Sequence, residues 1–489
     1  MQDQNCLLFF APENAAACVK FATSPDRKDA DGKEAAVPVD QICIRIFDVD
    51  VRLYGVFFPM GKTPVVMGYW MNAGTGVSSR LAQESLKHIE LLHEVTDDSA
   101  PPVYTLSSAH TVLQERIAGF LERAVTSPRT TKVSQDDIYF FQSGMASIYS
   151  VHQYLLSKYN QKTVLFGFAF HSTSHVFEDF GPGYKHFGKG SAEELVDLEA
   201  YLKSEASEGR RIQALFTEFP SNPNLTVPDL TRLRELADAY GFVLVVDDTI
   251  ASFCNVDLLG TDGVDILISS LSKSFNGYAD LLAASAVLNP SSKRYVELKE
   301  LFGKRYHNDF YNLDAEQLER NNRSYIPRSI TLNTNAATLV SFLTSQASNP
   351  NSSMAAVFYP SQGPTSGNYG KWMREKTSDF EPGYGCLFSV EFKSEGTLRT
   401  FYEGLNVHQG PHLGAHLTLA MPYVKGIYGT QMEKIEGWGM KSTQLRVSVG
   451  LEDAQELVET FGGALKLADA AMASEKEKEE VNIEVVSLT

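Results

Sequence analysis

The chain has 489 residues, enough to bury a large core in two domains plus an extension, and its 43% hydrophobic and 21% charged content is ordinary for a soluble globular protein. Its formal net charge of −17, from 60 Asp and Glu against 43 Lys and Arg, argues against nucleic acid and anionic membranes as partners. No apolar run approaches the ~20 residues of a membrane span, and Leu7-Leu8-Phe9-Phe10 is too short and lacks the basic flank of a secretory signal. The five cysteines (Cys6, Cys18, Cys43, Cys254, Cys386) are scattered, odd in number and without CxxC spacing. They read as reduced thiols of a cytoplasmic protein, neither a disulfide framework nor a metal site. The eleven histidines show no HExxH or comparable ligand spacing, so no metal is expected.

In chain order, residues 1–104 read as an N-terminal extension. Its first forty residues are rich in Ala, Asp and Lys, with a loop over Ser24 to Asp29, and the rest mixes alternating and helical patterns. Residues 105–330 read as a large α/β domain. Its strands are short and apolar: Thr163 to Phe168, Ala214 to Glu218, Val243 to Asp247, Ile266 to Ser270 and Ala283 to Leu288. Helical stretches such as Leu230 to Tyr240 lie between them, so the sheet should be mainly parallel. Residues 331–472 read as a smaller C-terminal α+β domain, with a long helix over Asn333 to Ala347, strands over Tyr384 to Phe392 and Gln444 to Val449, and a helix over Ala454 to Met472. The remainder, 473–489, is a charge-dense tail expected to be frayed or solvated helix.

Four segments carry chemistry. The first is Phe141-Gln142-Ser143-Gly144-Met145, between a strand-like and a helix-like run. Free N–H groups at a helix start bind anions, and glycine lets a phosphate come close; an ordinary N-cap has the same local sequence. The second is Glu218 to Pro223, which can aim the Asn222 amide at the ring hydroxyl of pyridoxal phosphate (PLP) or be a plain Pro-bounded loop. The third is Asp247-Asp248-Thr249, at the end of a strand buried on both faces, where α/β folds place ligands. A carboxylate such as Asp247 suits the PLP pyridinium nitrogen; the bland alternative is an acid capping a turn. The fourth is Ser269-Ser270-Leu271-Ser272-Lys273. A lysine at a strand end, with hydroxyls one and three residues before it, suits a Schiff base to PLP, with Ser270 and Ser272 donating to the phosphate. A loop lysine without such a duty would look the same in isolation.

Together, in this order, the four segments resemble the γ-family of PLP enzymes, the cystathionine γ-synthase/γ-lyase group, and most of all its longer fungal members. The resemblance runs from about Val51 to about Ala468. It includes Gly74-Thr75-Gly76-Val77-Ser78-Ser79-Arg80, Leu318-Glu319-Arg320-Asn321, Gly383-Tyr384-Gly385 and Leu445-Arg446-Val447-Ser448-Val449-Gly450. It implies fold-type I, with PLP held by Ser143, Gly144, Met145, Asn222, Asp247, Thr249, Ser270, Ser272 and Lys273. It further implies an amino-acid substrate whose α-carboxylate pairs with Arg446, and Lys273 as the base. The implied reaction is γ-replacement on an O-acyl-L-homoserine through a vinylglycine-type intermediate. The product is cystathionine, or a C–C bonded amino acid when a carbon nucleophile such as a β-keto acid adds. A γ-lyase releasing 2-oxo acid and ammonia, and a non-catalytic PLP-binding homologue, are the alternatives.

Three departures from the family pattern stand out. Phe170 occupies the position of a ring-stacking tyrosine, so stacking is retained and the acid/base hydroxyl is lost, with His171 beside it. His412 and His416 replace smaller or amide residues, and Thr418 takes the place of a hydroxyl that orients substrate and lysine, making Thr418 and His416 expected substrate contacts. A Tyr-x-Arg phosphate grip is incomplete, since Tyr104 has no arginine two residues on, which leaves Arg80 either as a substitute or as an ordinary surface residue. The family implies at least a homodimer, and a homotetramer is compatible.

Overall fold

The computed structural model describes residues 3–28 and 33–487, with side chains described through Glu475. At its centre is a seven-stranded sheet ordered β5-β11-β10-β9-β8-β6-β7. The strands are β5 (Ile138–Phe141), β6 (Lys162–Phe166), β7 (Tyr184–Phe187), β8 (Ile212–Glu218), β9 (Val243–Asp247), β10 (Ile266–Ser269) and β11 (Ala284–Leu288). Strands β10, β9, β8, β6 and β7 pair in parallel, and β11 runs antiparallel between β10 and β5. The continuous apolar runs follow from this placement. Leu244 and Val246 face one core and Val243 and Val245 the other, because side chains alternate across a strand.

Register sets the functional edge. Glu218 pairs with Asp247 across β8–β9, and Asp247 pairs with Ile268 across β9–β10. The C-terminal ends of these strands therefore lie side by side, and the start of the Gly144–Tyr159 helix, following β5, joins them at the same edge.

The N-terminal extension forms its own four-stranded antiparallel sheet, ordered β1-β3-β2-β4: β1 (Gln4–Phe9), β2 (Cys43–Asp48), β3 (Arg52–Pro59) and β4 (His93–Val95). It is not a detached unit. Phe9, Phe21, Val56, Phe58 and Tyr69 share one buried cluster with Val243, Val245, Ile266 and Ile268 of the large sheet. Of the expected Ser24 to Asp29 loop, Ser24 to Lys28 is free of helix and Asp29 lies outside the described residues.

The C-terminal sheet runs β12-β13-β16-β15-β14: β12 (Met354–Phe358), β13 (Leu387–Phe392), β14 (His408–Gln409), β15 (Leu419–Met421) and β16 (Gln444–Ser448). The long helix expected from Asn333 begins at Tyr325, eight residues earlier. Pro327 lies in its first turn, where the backbone N–H has no helical partner to lose, so this proline does not stop the helix. The last helix runs from Ala454 to Ser487, carrying the expected charged tail in helical backbone. All five cysteines are free, Cys6 and Cys43 exposed and the other three buried. Among the described residues, no helix is long and apolar enough to cross a membrane, and no group of His, Cys, Asp and Glu is placed to hold a metal.

Candidate active site

A cavity of about 720 Å³ opens at the C-terminal strand edge, and Lys273, Asp247, Ser270, Phe170, His412 and Arg446 all line it. Lys273 follows β10 on a tight turn. Ser272 fastens that turn, donating from Oγ to the Ala283 carbonyl at 3.1 Å and accepting from the Ala283 N–H at 2.9 Å. Burial pushes the Lys273 amine down to about 8, and the nearby Arg446 charge adds to this while Asp247 opposes it. An amine that is neutral near the physiological range is the form that attacks an aldehyde or takes a proton. Its Nζ lies 3.3 Å from His412 Nδ1.

Two carboxyls share the floor. Burial raises both, and Glu218 is raised further by the Asp247 charge. Asp247 is the better supported of the two as a carboxylate, because the Thr249 N–H donates to its Oδ1 at 2.8 Å and Lys273 acts against the upward shift. Glu218 receives the Phe170 N–H on Oε1 at 2.6 Å, which fixes the start of the segment carrying the Phe170 ring. Sequence reading saw Glu218 only as part of a motif. Its position beside Asp247 depends on the β8–β9 register, which local sequence does not encode.

An anion cradle completes the cavity. A Cβ on Gly144 would come within 3.1 Å of Ser270 Cβ and 3.2 Å of its Oγ, so a side chain there would fill the space above the helix start. The Ser270 N–H donates to Thr249 Oγ1 at 2.7 Å, which ties the lysine loop to the Asp247 strand. Met145 lines the same wall. The Ser143 hydroxyl is otherwise occupied, capping the helix by accepting from Ala146 N–H at 3.0 Å and donating to the Gly74 carbonyl at 2.8 Å. Ser272, held by Ala283, likewise has its hydroxyl proton engaged. Of the two serines expected to donate to a phosphate, Ser270 is the one whose hydroxyl is left open among the described residues. The Gly74–Ser79 segment of the extension lines the cavity too, which the sequence left undecided. A buried amine, a buried carboxyl and a glycine-lined cradle at a helix start fit PLP: Lys273 would meet the aldehyde, Asp247 the ring nitrogen, and Gly144, Met145 and Ser270 the phosphate.

Arg446, buried on β16, lines the same cavity. Its Nη1 donates to Asn222 Oδ1 at 3.0 Å and its Nη2 to the Pro411 carbonyl. Its guanidinium carbon lies 3.8 Å from the centroid of the Tyr423 ring, a platform that sequence reading missed. The Asn222 amide faces the Tyr423 hydroxyl at 3.4 Å, so it serves the arginine as well as the cavity.

Two expected substrate contacts lie elsewhere. Thr418 does not line the cavity. Its Oγ1 donates to Glu452 at 2.8 Å and accepts from Gly450 N–H at 2.9 Å, holding β15 to the loop after β16. His416 packs against Tyr278 at 5.5 Å between ring centroids and is also absent from the lining. His412 stands beside the lysine instead. His171 packs on His175 and Tyr428 outside the cavity. Arg80 is tied to Asp314 at 3.0 Å and Asp280 at 3.3 Å, while the Tyr104 hydroxyl accepts from Asn312 N–H at 2.9 Å.

Comparison with known proteins agrees with this geometry. The family model described as Cys/Met metabolism PLP-dependent enzyme matches residues 110–466, and that of the fungal trans-sulfuration enzyme N-terminal domain matches residues 1–78. The chain is 33% identical to alanine racemase ungC of Aspergillus violaceofuscus, over 94% of this chain and 84% of that one. It is 30% identical to cystathionine gamma-synthase of Neurospora crassa, over 96% of this chain and 87% of that one. In fold it is similar to a crystal structure of cystathionine gamma synthase from Xanthomonas oryzae pv. oryzae, with TM-score 0.61 and 20% identity over 75% of this chain and 87% of that one. With its lysine, carboxylate and phosphate cradle assembled at one strand edge, the chain belongs to the Cys/Met metabolism family of PLP-dependent enzymes and carries the fungal trans-sulfuration N-terminal domain.

Proposed function

We propose that the protein catalyses γ-replacement on an O-acyl-L-homoserine, giving cystathionine from cysteine or a C–C bonded amino acid from a carbon nucleophile such as a β-keto acid. The observation that carries this reading is that Lys273, Asp247 and Arg446 line one cavity large enough for cofactor and substrate together. Bound PLP supplies the electron sink that makes the α-proton acidic. Arg446 takes the substrate carboxylate, because a planar guanidinium matches two carboxylate oxygens at once. Lys273, released as a free amine, removes the α-proton and then serves Cβ from its flexible stem. Phe170, 43% exposed, offers a ring face for stacking and no proton.

One observation favours a second reading. The similarity to a protein named alanine racemase spans 94% of the chain. Racemisation needs only removal and return of the α-proton, and the same amine, carboxylate and arginine suffice for it. Product mass from purified enzyme with PLP and O-acetyl-L-homoserine, with and without cysteine, separates the readings. Cystathionine appearing only with cysteine supports sulfur metabolism. Acetate release without cysteine incorporation supports another nucleophile, and 2-oxo acid with ammonia supports a lyase. No acetate release, with D-alanine formed from L-alanine, overturns γ-replacement.

We also propose a cytoplasmic homodimer or homotetramer, supported by the scattered thiols and by the family resemblance. Light scattering of the purified protein checks the assembly, and a monomer at working concentration would contradict it.

A further inference from the structure

The Pro411-His412 step lies between the two reactive side chains. The Pro411 carbonyl accepts from Arg446, and the next residue, His412, reaches Lys273 Nζ through Nδ1 at 3.3 Å. The other ring nitrogen, Nε2, is buried without a hydrogen-bond partner among the described residues, while the ring lines the cavity. A buried polar nitrogen left open costs free energy unless something else meets it. Burial, with Lys273 and Arg446 nearby, lowers His412 to about 4, so the ring is neutral through the working range, one nitrogen accepting and the other donating.

We propose that His412 is a catalytic proton relay that lets Lys273 act twice on one substrate; this rests on the γ-replacement reading above. γ-Replacement removes one proton from Cα and one from Cβ before the γ-substituent leaves, and a single amine holds one at a time. The proton taken from Cα sits on Nζ, and bound PLP would take up the electron pair of the broken bond. Nζ gives a proton to His412 Nδ1 while Nε2–H gives its proton to solvent water entering the cavity, so that the acyl group later leaves as its carboxylate anion. The ring changes tautomer and stays neutral. Lys273, again a free amine, takes the Cβ proton. The Cβ–H electrons form the Cβ–Cγ double bond, and the Cγ–O electrons leave on oxygen. Phe170 has no proton to offer here, which leaves the imidazole as the group in contact with the lysine able to move one.

The test is deuterium exchange into L-2-aminobutyrate, which has a Cβ–H and no leaving group, followed by NMR in D2O with PLP-loaded enzyme. Wild type should exchange both Cα and Cβ. H412F should keep Cα exchange within a few-fold and lose Cβ exchange by roughly 10²-fold, the scale of one general acid/base group. H412N, whose amide can occupy the place of Nδ1 but cannot relay, should behave like H412F. Retained Cα exchange in the variants shows that the site is folded and loaded. In cofactor-free protein, ¹⁵N shifts should show a neutral Nε2–H tautomer that H412F removes. Cβ exchange surviving in H412F, restored by H412N, or an Nδ1–H tautomer would each overturn the relay while leaving γ-replacement standing. Wild type that exchanges Cα alone overturns γ-replacement and the relay with it.

Discussion

At the scale of single residues the site is a set of charges taken out of water and made to compensate one another. Lys273 sits below its ordinary range because burial disfavours the ammonium. Its capture of PLP by cofactor-free protein should therefore speed up with pH through a midpoint near 8, as the amine loses its proton. Stopped-flow absorbance checks this, and a midpoint near the ordinary lysine value would contradict the burial. The same shift has a stability sign. The folded amine releases its proton near 8 and the unfolded one near 10.4, so the apoprotein should gain stability as pH rises between those values. Arg446 is argued to grip a carboxylate with two nitrogens. Arg446→Lys should raise KM about 10- to 100-fold, the loss of one charge-assisted hydrogen bond, with a smaller change in kcat. An unchanged KM would remove Arg446 from substrate binding. Residue types were the legible part of the site: a lysine after serines, an acid after a valine run. What a side chain faces was not. Thr418 and His416 were read as substrate contacts because their segment aligns with the family, yet Glu452, Gly450 and Tyr278 hold them.

At the scale of elements, strand ends do the positioning. The Val243–Asp247 run was legible to the residue because a strand buried on both faces is apolar throughout. The long helix was legible except for its start, since a proline such as Pro327 is tolerated in a first turn. Not legible was the contact between Gly74 and the start of the Gly144–Tyr159 helix, which joins segments about seventy residues apart in sequence. Gly74 has φ +65°, and a Cβ there would lie 2.4 Å from Ser143 Oγ and 2.6 Å from Met145 Cβ. Gly74→Ala should cost about 1–3 kcal/mol and weaken PLP binding. Thermal unfolding and a PLP fluorescence titration measure both, with Gly61→Ala as the control, because nothing lies within 4 Å of that position. Equal behaviour of the two variants would separate the extension from the cofactor site.

At the scale of the whole molecule, the extension and the large sheet share one core. Tyr69 is fully buried, with its ring within 6.2 Å of Phe9, Phe21, Tyr149 and Phe180 between centroids. Tyr69→Ala should cost about 3–5 kcal/mol, as for large aromatic deletions in a packed core. Calorimetry should show extension and large sheet melting in one shifted transition, and a separate transition for the extension would mean an independent domain. The α/β architecture with its mainly parallel central sheet was readable from the order of the elements. The antiparallel sheet of the extension was not, because its strands alternate only partly between buried and exposed positions. The central claim is that this single cavity drives chemistry beyond Cα. It is tested most directly by incubating the PLP-loaded enzyme with O-acetyl-L-homoserine and assaying acetate. Release that depends on Lys273 is the predicted result. No release from an enzyme that interconverts L- and D-alanine would contradict it.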